Sequence, residues 1–62
     1  MWKIVETIDN DHVGEVISSI EAGQIITFED GDVVSIQQVF LSADGNRMVA
    51  TGSNYSMTLE RE

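Results

Sequence analysis

Apolar residues along this chain come in short bursts, and Gly, Asp and Asn punctuate them. Trp2 to Ile8 reads as a strand ended by Asp9, Asn10 and Asp11, and Gln24 to Phe28 as another, with Ile26 and Phe28 sharing a face. Val33 to Leu41 is a longer, β-branched run stopped by "ADGN"; Arg47 to Thr51 and Tyr55 to Leu59 follow. The last run alternates cleanly, with Tyr55, Met57 and Leu59 on one side and Ser56, Thr58 and Glu60 on the other, the two-residue period of a half-buried strand. Asp30-Gly31 and Asp44-Gly45 lie between such runs. Primed hairpin turns need positive φ, which these residues tolerate, so both pairs predict tight hairpins. No proline interrupts a run, and the chain has no internal repeat, linker or low-complexity stretch.

Val13 to Ile20 fits two templates. Val13, Val16, Ile17 and Ile20 fall at helical spacing, Asp11 offers a cap and Gly23 a stop. A helix at about residues 11–22 packed on the remaining strands gives an α+β fold. Against it, Gly14, Ser18 and Ser19 are poor helix formers, and β-branched residues fill the apolar positions. A strand with Val16 and Ile20 inward is the preferred reading, with a bulge or twist to accommodate Val13 and Ile17.

With that strand, Gly14 to Ile36 ("GEVISSIEAGQIITFEDGDVVSI") resembles the small SH3-like barrels of KOW and Tudor type, most visibly in the I-x-F-x-D-G of Ile26 to Gly31. The resemblance implies an all-β fold, a five- or six-stranded antiparallel meander closed into an SH3-like barrel, with function on the loops or one sheet face. It does not bring those families' usual functions. A cage for methylated side chains needs several clustered aromatics, and only Trp2, Phe28, Phe40 and Tyr55 exist; RNA-contacting loops are basic, and these are acidic.

Length and charge narrow the picture. A chain of 62 residues is one domain, residues 1–62, near the lower limit for folding alone. Its 42% hydrophobic content suits a globular fold. There is no cysteine for disulfides or thiolate metal sites, and the single His12 cannot build a multi-histidine zinc centre. The formal net charge of −8 rests on only three basic residues, Lys3, Arg47 and Arg61. Nucleic-acid binding needs Lys and Arg to displace phosphate counterions, so it ranks third among the functional readings. Anionic membranes are disfavoured on the same ground. "MWKIVETI" reaches Glu6 before a signal-peptide core forms, so cytoplasmic residence is the default expectation.

Candidate chemistry is sparse. Asp9 to Gly14 begins like a calcium loop, but Val13 and Ile20 stand where an EF-hand needs an oxygen ligand and a bidentate Glu. His12 beside Asp11 suggests an acid–base pair without a nucleophile; no serine has a nucleophile-elbow context, and a domain this small has little room for a deep cleft. The chain is expected not to be an enzyme, with no catalytic residue, cofactor or metal assigned. Trp2 is expected to pack over one end of the core, the alternative being an exposed anchor for a partner.

Two features point outward. Along Val33 to Leu41, Val34, Ile36 and Phe40 lie on one face, while Val33, Val39 and Leu41 lie on the other. Either the strand bends so that its ends serve different sheets, or a partner covers Val33, Val39 and Leu41, a second subunit in the case of a homodimer. In a meander, moreover, alternate turns share an end. Asp9, Asp11, Glu29, Asp30 and Asp32 then form one negative pole beside His12. The expected function is a small acidic protein-interaction module, an adaptor, inhibitor or assembly component that recruits a basic protein. The alternative is a nucleic-acid mimic seated in the basic groove of a DNA- or RNA-binding protein.

Overall fold

Seven strands and no helix make up the computed structural model, which describes residues 1–62. In chain order they are β1 (Trp2–Thr7), β2 (Val16–Ile17), β3 (Ile25–Thr27), β4 (Val33–Ser35), β5 (Gln38–Leu41), β6 (Arg47–Thr51) and β7 (Ser56–Arg61). Five form one sheet in the order β2-β1-β7-β6-β5, and β3 and β4 form a separate hairpin. Every pairing is antiparallel.

The alternating runs explain the large sheet. Register places Ile4 opposite Leu59, Leu59 opposite Met48, and Met57 opposite Ala50, and all five side chains are buried. The small hairpin contributes Ile26, Phe28, Val34 and Ile36 to the same core, and Ile20 and Trp2 complete it. Each fully buried aliphatic side chain contributes about 1.5–3 kcal/mol, so this shared cluster is the main source of cohesion. Trp2 packs as expected, with the Arg61 guanidinium 4.5 Å above its ring.

The long apolar run does bend. Ile36 exchanges hydrogen bonds with Gly23 and Gln24 on the small-hairpin side, whereas the next amide, Gln37, donates to the Thr51 carbonyl of the large sheet. The face that points inward therefore changes: Val34 and Ile36 are core, Phe40 is exposed, and Val39 is half-buried against the core.

Three expectations need correction. Neither sheet closes on itself, and β1 pairs with β7 instead of every strand following its neighbour, so the closed meander is not what the chain forms. Val13 to Ile20 is neither a helix nor a long strand. Its strand is confined to Val16–Ile17, with Gly14 N–H and Glu15 C=O also bonded to Ile4 of β1; Val16 points outward and half-buried Ile17 inward, and Gly14 at φ 96° turns the chain just before. Finally, neither Asp-Gly turn is a primed turn, since only the glycine of each pair has positive φ. Bonds from Gly31 N–H to Phe28 C=O and from Phe28 N–H to Asp32 C=O make a three-residue loop ending in a left-handed glycine, and Ser42 N–H to Arg47 C=O closes a four-residue loop around Asp44-Gly45.

Candidate functional site

The connection after β1 is tightly wound. Asn10, His12 and Gly14 have φ of 63°, 69° and 96°, three left-handed residues at alternate positions. Asp9 Oδ1 accepts the Asp11 N–H at 3.1 Å. The single proton of the Thr7 hydroxyl is shared between the Asp11 carbonyl oxygen at 2.8 Å and Asp9 Oδ1 at 3.1 Å. The Asp11 amide holds the Asp9 carboxyl below its usual range, against some loss of water and with help from Thr7. Asp9 is thus occupied in shaping its own loop.

That loop lays His12 over the small hairpin. Its ring stacks on Phe28 with centroids 3.8 Å apart and planes 12° from parallel, and only 6% of the side chain is exposed. Nδ1 lies 2.5 Å from Glu15 Oε2, and Nε2 lies 2.8 Å from Asp32 Oδ2 and 3.6 Å from Asp30 Oδ2. A neutral imidazole donates from one nitrogen and would turn a lone pair toward the other carboxylate; an imidazolium donates from both. Hydrogen bonds to Asp32 and then Glu15 raise its pKa to about 9, with covering of the ring opposing and the Asp30 and Glu15 charges assisting. His12 is a cation at neutral pH. It neutralises part of the pole from within and ties the β1–β2 connection to the β3–β4 turn.

Of the residues singled out from sequence, Asp30 and Asp32 meet around His12, with Asp30 Oδ1 also accepting the Asp32 N–H at 3.0 Å. Asp9 and Asp11 occupy the adjoining loop, and the Asp11 carboxylate makes no hydrogen bond. Glu29 is exposed on the hairpin and bonds to none of them. Glu15, which sequence reasoning passed over, is the second partner of His12; its place three residues after the histidine was the available signal. Val33 and Leu41 are exposed, one on each sheet, and Val39 is half-buried against the core.

Ligand atoms of His12, Asp30 and Asp32 lie within 4.8 Å of one another. A cation there would compete with the proton on His12 Nε2 and leave the Nδ1–Glu15 contact in place, so its binding would release a proton. The 52–55 turn lies against the same end, since Ile8 N–H donates to Ser56 C=O. Here the Tyr55 hydroxyl is buried without a well-formed hydrogen bond. Burial pushes the phenol above its usual value; the Thr7 hydroxyl, too poorly placed for a full bond, opposes this weakly.

Comparison with protein-family models, curated proteins and solved structures found no match. Fold and site together define a small all-β protein with a histidine-braced acidic pole. No helix is long and apolar enough to cross a membrane.

Proposed function

We propose that this chain is an acidic, non-enzymatic protein-interaction module that docks a basic protein surface through the pole formed by Asp9, Asp11, Glu29, Asp30 and Asp32. The observation that carries this reading is the meeting of the β1–β2 connection and the β3–β4 turn at His12, which holds carboxylates from two distant segments in a fixed array. Pre-ordered charge complementarity chiefly accelerates encounter and selects the partner. The reading keeps the kinship with SH3-like barrels of KOW and Tudor type as an opened form of that fold, supported by the bend at Ile36–Gln37 and by a single core under both sheets. In such folds loops carry the contacts.

The test uses carboxylates that do not hold His12. Asp11→Asn combined with Glu29→Gln is expected to leave the circular dichroism unchanged, slow capture of partners from a lysate of the source organism, and flatten the salt dependence of that capture. Capture unaltered by the double variant would overturn docking at this pole. If duplex DNA or RNA displaces the captured partner competitively, nucleic-acid mimicry is the form that docking takes.

A further inference from the structure

The end of the large sheet away from β2 is an open edge. In the β5–β6 ladder, Ser42 N–H donates to Arg47 C=O, so alternate residues of β5, Phe40 among them, face β6. The pairs Leu41–Met48 and Val39–Ala50 are then the unbonded ones. The backbone N–H and C=O groups of Val39 and Leu41 therefore point away from the sheet. Such a row invites another strand unless proline, lysine, a bulge or a covering loop blocks it. None does: the strand reads "QVFL", it is regular, and Phe40 and Leu41 are each 56% exposed.

We propose that two copies of this chain pair edge to edge through β5, antiparallel, about a two-fold axis at Phe40. That register is self-complementary. Val39 of each copy faces Leu41 of the other, and every outward backbone group finds its partner across the axis. Phe40 meets its own counterpart in the unbonded position, where facing side chains approach most closely and aromatic pairs stabilise antiparallel sheets. Leu41 and Val39 meet on the core side, extending the buried row over Met48 and Ala50.

Charge selects this edge and this orientation. No charged residue occurs from Val33 to Ala43, so two strongly negative chains meet here without like charges opposed. Asp44 is engaged by the Ser42 hydroxyl and the Asn46 amide, and Arg47 is paired with Glu60 at 2.7 Å. β5 begins opposite Thr51, on the side of the acidic pole, and ends toward Arg47. An antiparallel pair thus sends the two acidic poles to opposite ends of the joined sheet, and a parallel one would set them side by side. The other edges fit less well. β2 has only two residues, β3 lies between Glu21 and Glu29, and Gly52 of the 52–55 turn presses on Ser35 of β4. Four residues make a small interface, so the pair belongs to the weak class, forming at roughly tens of micromolar and above.

Sedimentation equilibrium of the intact chain from about 5 µM to about 1 mM tests the pairing, with single-cysteine variants locating the axis. Expected is a rise toward twice the chain mass, weakened at least about tenfold by Phe40→Lys, which sets two like charges face to face. Because the chain has no cysteine of its own, Phe40→Cys is expected to cross-link under mild oxidation at least about tenfold faster than Val33→Cys or Ile25→Cys. Circular dichroism checks that each variant is folded; if Phe40→Lys is not, Leu41→Pro, which removes one outward N–H, replaces it with the same expected loss. A monomer throughout, association indifferent to these changes, or faster cross-linking at Val33 or Ile25 would each overturn the proposal.

Discussion

The large sheet and the small hairpin lobe are held by different forces. In the large sheet, Ile4, Leu59, Met48, Ala50 and Met57 are buried in regular register, so apolar area sets every strand's position. The β3–β4 lobe shares that core but is located by special contacts at its margin: His12 between Glu15 and Asp32, and Gly52 against the Ser35 backbone. Hydrophobic register is insensitive to pH and salt, whereas a charge clasp depends on both. The lobe that carries the acidic pole is therefore the part of the molecule open to adjustment by its surroundings.

The largest effect should come from the sheet itself. Leu59→Ala leaves a cavity at a fully buried position and is expected to cost about 2–5 kcal/mol, enough to unfold so small a domain. Urea denaturation measures it, and a mild loss would mean that the large sheet is not the dominant unit. Next comes the seam between the lobes. A Cβ on Gly52 would collide with the Ser35 carbonyl oxygen, so Gly52→Ala is expected to cost about 1–3 kcal/mol and to increase amide exchange in the small hairpin before the large sheet.

The clasp should show in pH. Because the folded pKa of His12, about 9, lies above its ordinary 6.5, its contribution is complete below about pH 6.5 and disappears as pH rises through 9. Asp9 and Asp44 run the other way: their folded pKa values are lowered, so their contribution is present above 3.8 and lost as pH falls below it. Thermal stability should therefore peak between about pH 4 and 6.5, and His12→Gln should remove the decline between about pH 6.5 and 9 while keeping the acid one. An unchanged alkaline limb in that variant would separate His12 from lobe attachment. The smallest change should be Tyr55→Phe. Removing a buried hydroxyl without a partner is expected to stabilise by about 1 kcal/mol, and a loss of similar size would show that the hydroxyl is satisfied in solution.

The same contrast explains what was legible beforehand. Alternation placed Met57 and Leu59 in the core, the Ile26/Phe28 face was readable, and both Asp-Gly pairs marked hairpins. These are local signals with a fixed period. The division of Val33 to Leu41 was foreseen as one of two outcomes, but its position was not, because no glycine or proline marks it and it depends on where Gln37 N–H finds Thr51. For the same reason a single two-residue alternation cannot describe the whole run: Val34 and Ile36 are buried, Phe40 is exposed and Val39 is half-buried against the core. His12 looked like an ordinary loop histidine since its decisive partner, Asp32, is 20 residues away and no spacing rule joins them.

Whether His12 clasps the two lobes is decided by its protonation state. Two-dimensional nitrogen–proton correlation spectra of the imidazole ring, recorded across a pH titration of the intact chain, read both the pKa and which nitrogens carry protons. The expected result is a pKa of about 9 with both nitrogens protonated at neutral pH. A pKa at or below 6.5, or a single neutral tautomer at pH 7, would contradict it.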